Sequence, residues 1–394
     1  MLVYILLFII LLAGTIYEQM GKNDKVKKNI FIISILILGI ILSTRGLIGY
    51  DWYSYKTNFD KIPRLYEITG DSFKNIFFSY EIGFQLYTSA IKTIFNNYYF
   101  YTFVNTGIDF ILIYFIIKRY AKYPIFSLLL FYGMFGLPLE VDMIRNVKAI
   151  LLFTLSIKEI EDRNFSRFLI LNIIGFLFHY SAILYLPMYF ILNRKWNKKI
   201  LLGIFILGNI YYLLDSRLML NSIQIYIGLL PNAWGIKLCN YLSFIPTDFP
   251  MGITLFYIER VVIFVLAWCC YDGIIKMKYG KIMFNSLCIS LFLFLFFAEF
   301  SILTLRVELL FIYSYWFIIP LIFYFHRRLI LFWLFIYMCA FRLFNQLEFP
   351  GNKELYRYEN AIIHQIDEKE HRIKVEDNAV YKIWAHGKEI SVLF

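Results

Sequence analysis

Apolar stretches broken by short basic interruptions recur from Leu2 to about residue 345, and nothing else in the sequence narrows the possible folds so far. A hydrocarbon solvent leaves backbone N–H and C=O groups nothing to bond except one another, so only helices and closed barrels span it. The runs are continuous rather than alternating, which selects helices. Of the 394 residues, 60% are hydrophobic and only 17% charged, more apolar sequence than a soluble domain of this length can bury. The expectation is an all-α polytopic membrane protein. One transmembrane domain covers residues 1–345 with about twelve helices, each full crossing needing about 20 residues. A polar, mixed-charge tail follows over residues 346–394.

The basic residues fall in loops: Lys22–Lys28, Lys118–Lys122, Lys158–Arg167, Arg194–Lys199, Lys276–Lys281 and His326–Arg328. Alternating helices put each of these on the cytoplasmic side, so the net charge of +11 reads as topology and not as a nucleic-acid partner. The run Leu2–Ile16 has no positive start and is followed by lysines, which suits a retained first helix with its N-terminus outside. Residues 167–192 read either as two short helices meeting at an outer hairpin or as one long tilted helix. Two long segments, about 43–97 and 215–252, then lie outside, as does the tail. In the first, Phe73, Ile76, Phe77, Tyr80, Phe84, Tyr87, Ile91, Ile94 and Phe95 recur at helical spacing, with Lys74, Asn75 and Lys92 between them. That pattern predicts amphipathic helices at the outer interface. In the tail, Val380–Trp384 and Ile390–Phe394 are spaced for a hairpin. The cysteines, four of them inside apolar runs, predict neither a disulfide framework nor a metal site.

There is no phosphate loop, no GxSxG elbow, no HExxH and no paired CxxC, so ATP-driven transport and zinc hydrolysis are not expected. What remains is a set of ionisable groups toward the outer ends of helices, where insertion of each costs on the order of 2.5 to 3.5 kcal/mol if it sits deep. Arg45, Arg145, Arg260, Arg306 and Arg342 all fall there, against the positive-inside tendency. Guanidinium binds phosphate bidentately without losing its charge, so such a collection is equipped to hold an anion. The alternative is pairing with nearby acids: Asp142 or Glu140 for Arg145, Glu259 for Arg260, Glu299 or Glu308 for Arg306. Glu140, Asp142 and Arg145 at the mouth of one run and His179 at the end of the next are expected to share a pocket. Asp51 in GYDWYSY, with Tyr55 beside it, and Glu81 in SYEIGF suit a sugar site, where aromatic faces stack on pyranose rings and acids bind hydroxyls. A transporter would show ionisable residues near the bilayer midplane and often repeated halves, and neither is expected here.

The ordered set STRGLIGYDWYSY, SYEIGF, NNYYFY, IRNVKAILLF, FLFHYSAILYLP and LRVELLFIYSYWFIIP resembles the EpsG-like members of the Wzy group, bacterial membrane polymerases of O-antigen, capsule or exopolysaccharide repeat units. It covers about the first 325 residues. The resemblance implies a GT-C-like glycosyltransferase in the cytoplasmic membrane, with its active site on the periplasmic or extracellular side. Such an enzyme takes a growing glycan from undecaprenyl diphosphate and joins it to a hydroxyl of a new lipid-linked repeat unit. It implies Arg45, Arg145, Arg306 and, in support, Arg260 at the diphosphate. His179, ahead of Asp51 and Glu81, is implied as the base, with Tyr55, Glu140 and Asp142 lining the substrate. No metal or other cofactor is expected; the partners are the lipid-linked donor and acceptor, the bilayer and a chain-length regulator. An O-antigen ligase or another lipid-linked glycan or acyl transferase shares much of this chemistry, and a polysaccharide transporter shares the topology.

Overall fold

The computed structural model describes residues 1–70, 80–214, 252–348, 352–364 and 366–377. The amphipathic positions Phe73, Lys74, Asn75, Ile76 and Phe77, the outer segment 215–251 and the expected tail hairpin lie outside the described residues. In chain order the main helices are α1 (Leu2–Met20), α2 (Asp24–Ser43), α3 (Trp52–Lys61), α4 (Ile82–Ile94), α5 (Tyr98–Tyr120), α6 (Pro124–Val141), α7 (Asn146–Glu161) and α8 (Phe165–Phe178). They continue with α9 (Lys198–Leu214), α10 (Leu255–Cys269), α11 (Gly280–Phe297), α12 (Ser301–Leu309), α13 (Tyr313–His326), α14 (Leu329–Glu348) and α15 (Glu368–Asp377). Among the described residues the only β pairing is an isolated bridge between Arg45 and Asn360. The chain divides into two compact units, Met1–Asn193 with His326–Tyr381, and Arg194–Phe325 with Lys382–Phe394.

Among the described residues six helices are long and apolar enough to cross a bilayer: α1, α2, α5, α6, α11 with its 3-10 extension to Phe300, and α14. The chain is therefore a multi-pass membrane protein by length and composition. Most of the other expected spans come out as helices of 14 to 17 residues. Residues 167–192 are not one long tilted helix but two short apolar ones, Phe165–Phe178 and Tyr180–Ile191, broken at His179. α8 stops at Phe178, His179 is extended, and a 3-10 stretch Tyr180–Tyr185 leads to one turn at Met188–Ile191.

In the first unit, side chains join the helix ends in two opposite groups. Glu18, near the end of α1, accepts the N–H groups of Ile125 and Phe126 at 2.9 and 3.0 Å and so caps α6. The Tyr120 hydroxyl donates to Leu155 O and accepts from Lys158 N, tying the ends of α5 and α7. These contacts gather the loops at Lys22–Lys28, Lys118–Lys122 and Lys158–Arg167 at one end. At the other end, α4 carries the described part of the expected amphipathic stretch and packs beside α3, a short helix the spacing did not predict. Trp52, Tyr55 and Phe59 on α3 and Phe84 and Ile91 on α4 are buried, most of them in an aromatic core shared with Tyr101 of α5 and Ile144. Lys92, expected on the polar face, is buried instead. Its ammonium donates to the carbonyls of Phe59, Asp60 and Ile62 at 2.8 to 3.0 Å, which closes the C-terminus of α3.

Candidate functional site

The site grows from two helix starts and one turn. Asn97 opens α5 by accepting the N–H groups of Tyr99 and Phe100, and Glu81 and Arg145 stand immediately before α4 and α7. Arg145 donates from Nη1 to Glu81 Oε2 at 2.5 Å, and its guanidinium lies 4.5 Å from the centre of the Tyr80 ring, with Tyr55 and Phe84 at 5.9 and 6.0 Å. A cation over several ring faces is held by their quadrupoles as well as by the carboxylate. The Arg145 side chain keeps 22% of its surface exposed while Glu81 keeps 4%, so an incoming ligand reaches the arginine first. The other oxygen of Glu81 accepts from Tyr180 N at 3.3 Å, which brings the break after α8 to the same place.

That break carries His179. Its Nδ1 lies 2.6 Å from Ser181 Oγ, and Ser181 Oγ donates to Asn146 Oδ1 at 3.2 Å. Nδ1 also accepts from Ser181 N at 3.3 Å, so this ring nitrogen is held by both the backbone and the hydroxyl of Ser181. Asn146 follows Arg145 directly, so the histidine and the arginine are positioned by adjacent residues of α7.

Asp142 takes a different part. Its Oδ1 accepts from Tyr50 N at 2.5 Å and Asp51 N at 3.3 Å, its Oδ2 accepts from the Tyr356 hydroxyl, and its carbonyl accepts from the Tyr55 hydroxyl at 3.1 Å. Burial, with the Asp51 carboxylate adding to it, pushes Asp142 up to about 7. The turn it holds needs Gly49, whose φ is +93° and where a Cβ would overlap Asp142 Oδ1 and Val141. Asp51 itself is exposed at the start of α3.

The four residues expected in one pocket therefore separate. Arg145 and His179 come together through Glu81 and Asn146, Asp142 organises the turn before α3, and Glu140 turns inward. The Glu140 carboxylate is fully buried and neither oxygen has a hydrogen-bond partner. Arg45 is also interior, its guanidinium donating to Leu42 O, Thr106 Oγ1 and Glu140 O, each at 2.7 Å. In the second unit Arg260 binds the Glu308 carboxylate through Nε and Nη2 at 2.6 and 2.8 Å, and Arg306 is exposed. Arg342, in the first unit, lies 5.1 Å over the Phe135 ring and is buried.

The expected ion partners are corrected too: Arg145 bonds Glu81, where Asp142 or Glu140 was expected, and Arg260 bonds Glu308, where Glu259 was expected. Neighbours on a helix point about 100° apart, whereas groups on facing helices meet directly. A second correction concerns the bilayer midplane. Asp109, at the middle of the 23-residue α5, is an ionisable group in mid-helix, fully buried and bonded to Lys148 of α7 at 2.8 and 2.9 Å. Lys148 also donates to Asn105 O at 3.2 Å and faces the Tyr87 ring. The lone acid in TGIDFIL and the lysine in IRNVKAILLF were the signals for this pair. Asn146, Ser181 and Tyr356 gave none. Among the described residues no group of three or more His, Cys, Asp or Glu side chains is placed to hold a metal ion.

A model of the EpsG family matches residues 28–360. No curated protein and no solved structure matches the chain.

Proposed function

The chain belongs to the EpsG family, and from that premise we propose that it is a glycosyltransferase polymerising polysaccharide repeat units, with Arg145 and His179 at the centre of its reaction site. The donor is a glycan on undecaprenyl diphosphate and the acceptor a hydroxyl of a lipid-linked repeat unit, at the membrane face opposite the basic loops. The observation that carries this reading is a partly exposed arginine, stacked on tyrosines and poised at the start of a helix, with a histidine base fixed by the next residue of that helix.

In the reaction the acceptor oxygen bonds to the anomeric carbon and the bond from that carbon to the diphosphate oxygen breaks. The electron pair leaves on undecaprenyl diphosphate and the acceptor proton passes to the His179 imidazole. Negative charge develops on the leaving diphosphate, where Arg145 and the positive end of α7 stabilise it more than they stabilise the ground state. As Arg145 turns toward phosphate it leaves Glu81, whose carboxylate then serves the sugar hydroxyls beside Tyr55 and Tyr80. Asp51, exposed at the same turn, lines the acceptor side, and Arg45 and Glu140 brace the helices beneath.

Arg145→Lys retains a charge and loses the planar fork. In membranes carrying equal amounts of inserted protein, it is expected to lower polymer formation by about 10²-fold, the scale for losing one preorganised donor. Polymer at the wild-type level would remove Arg145 from the chemistry.

A transporter has one observation in its favour, the mid-helix Asp109. That carboxylate is closed off by Lys148 and lies in a fully buried setting, which suits a brace between α5 and α7 better than a site that loads and unloads an ion.

A further inference from the structure

The segment after α14 has a composition unlike the rest of the chain and falls largely beyond the motifs that suggest the family. It packs against the turn that Asp142 organises. Residues 44–49 are buried although they form a loop, and buried backbone donors need partners. The segment supplies them: Gly46 N donates to Glu359 O, Gly49 N to Leu355 O, and Ala361 N returns a bond to Thr44 O, each at 2.8 Å. Asn360 Nδ2 reaches Thr44 Oγ1 at 3.0 Å and the Tyr358 hydroxyl reaches Ile41 O at 3.0 Å. Further on, α15 lies along α3: Glu368 bonds Lys56 at 2.9 Å, Arg372 stacks over the Tyr53 ring at 4.7 Å, and His371 meets Trp52 edge-on.

Resting on the proposed function, we propose that residues 352–364 and 366–377 are a built-in wall of the reaction site and that Tyr356 is a positioning residue, holding the Asp142 carboxylate so that it fixes the Tyr50–Asp51 turn. Tyr356 touches no reacting atom in this scheme. It acts through Asp142, which in turn sets where α3 begins and where Asp51 and Tyr55 stand. The groups facing the Asp142 carboxylate are Tyr356 from this segment, Tyr50 and Asp51 from the turn and Tyr4 from α1, with Tyr55 on its carbonyl. Of these, Tyr356 is the side-chain donor to the carboxylate, and its bond favours the ionised form.

Two measurements test this. Tyr356→Phe, assayed for polymer from pH 6 to 9, is expected to keep near-wild-type rates at the alkaline end. Its acid limb is expected to move up by about one pH unit, the size of a hydrogen bond to a charged group. A uniform loss at every pH, or no change at any, overturns the positioning role. For the wall, Lys56→Glu should expose residues 366–377 to amide hydrogen exchange and lower polymer at least tenfold. Adding Glu368→Lys should restore both. Exposure without loss of polymer overturns the wall. If the wild-type protein forms no polymer while the charge swap still restores exchange protection, the packing stands and the proposed function fails.

Discussion

At the residue scale the site depends on positions whose chemistry cannot be replaced by a similar side chain. His179→Gln keeps a hydrogen-bonding side chain at the break after α8 and loses the titratable nitrogen; polymerisation is expected to fall by about 10²- to 10⁴-fold, the range for a general base, with insertion unchanged. Measured turnover close to wild type would move the base to Asp51 or Glu81. Gly49→Ala puts a Cβ into Asp142 and onto a backbone at φ +93°. The left-handed conformation alone costs about 1–2 kcal/mol, so this variant should lose thermal stability and polymer together, whereas Gly203→Ala, which meets nothing within 4 Å, should lose neither. Several of these residues were readable in advance. Asp51, Glu81, Arg145 and His179 sit in apolar surroundings that make a polar group conspicuous. The role of each was less readable, because which carboxylate meets which arginine is decided by helices packing across 64 residues of chain, as in Arg145 with Glu81.

At the element scale, the long helices were legible from their apolar periods, and the amphipathic α4 followed from spacing, whereas α3 did not. What was illegible depended on tertiary contact. Lys92 looked like a solvated lysine and closes α3. The stretch after His179 was apolar enough for a crossing helix, and yet it turns as 3-10. Lys148 passed unnoticed inside a helical run, since its partner Asp109 is 39 residues away on α5. That buried pair makes its own prediction. Lys148→Met leaves Asp109 uncompensated and should destabilise the protein by about 3–5 kcal/mol, while Lys148→Met with Asp109→Leu should recover most of the loss, because paired burial gains little over good apolar packing. Thermal unfolding in detergent measures both; a double variant no better than the single one would mean that the pair does more than brace α5 against α7.

At the scale of the whole molecule, the alternation of basic loops with site residues separates the first unit into two ends. One end carries Lys22–Lys28, Lys118–Lys122 and Lys158–Arg167. The other carries Arg145, Glu81, His179 and the Asp142 turn. The composition of the tail set it apart in the sequence, but the family match extends to residue 360 and the described part of the tail packs within the first unit. The all-helical, multi-pass character and the family were thus open to inspection of the chain, while the tail's place was not, because its backbone and side-chain partners lie about 300 residues away in sequence, around residues 41–56, or at Asp142. The central claim is that this end of the molecule joins lipid-linked repeat units into polymer. The most direct measurement incubates the purified full-length protein with undecaprenyl-diphosphate-linked repeat units of its source organism and resolves the products by size, with and without chelator. A ladder of longer lipid-linked glycans in both reactions is the predicted result. Folded protein that leaves the repeat units unextended, or transfers them once to a different acceptor, would contradict it.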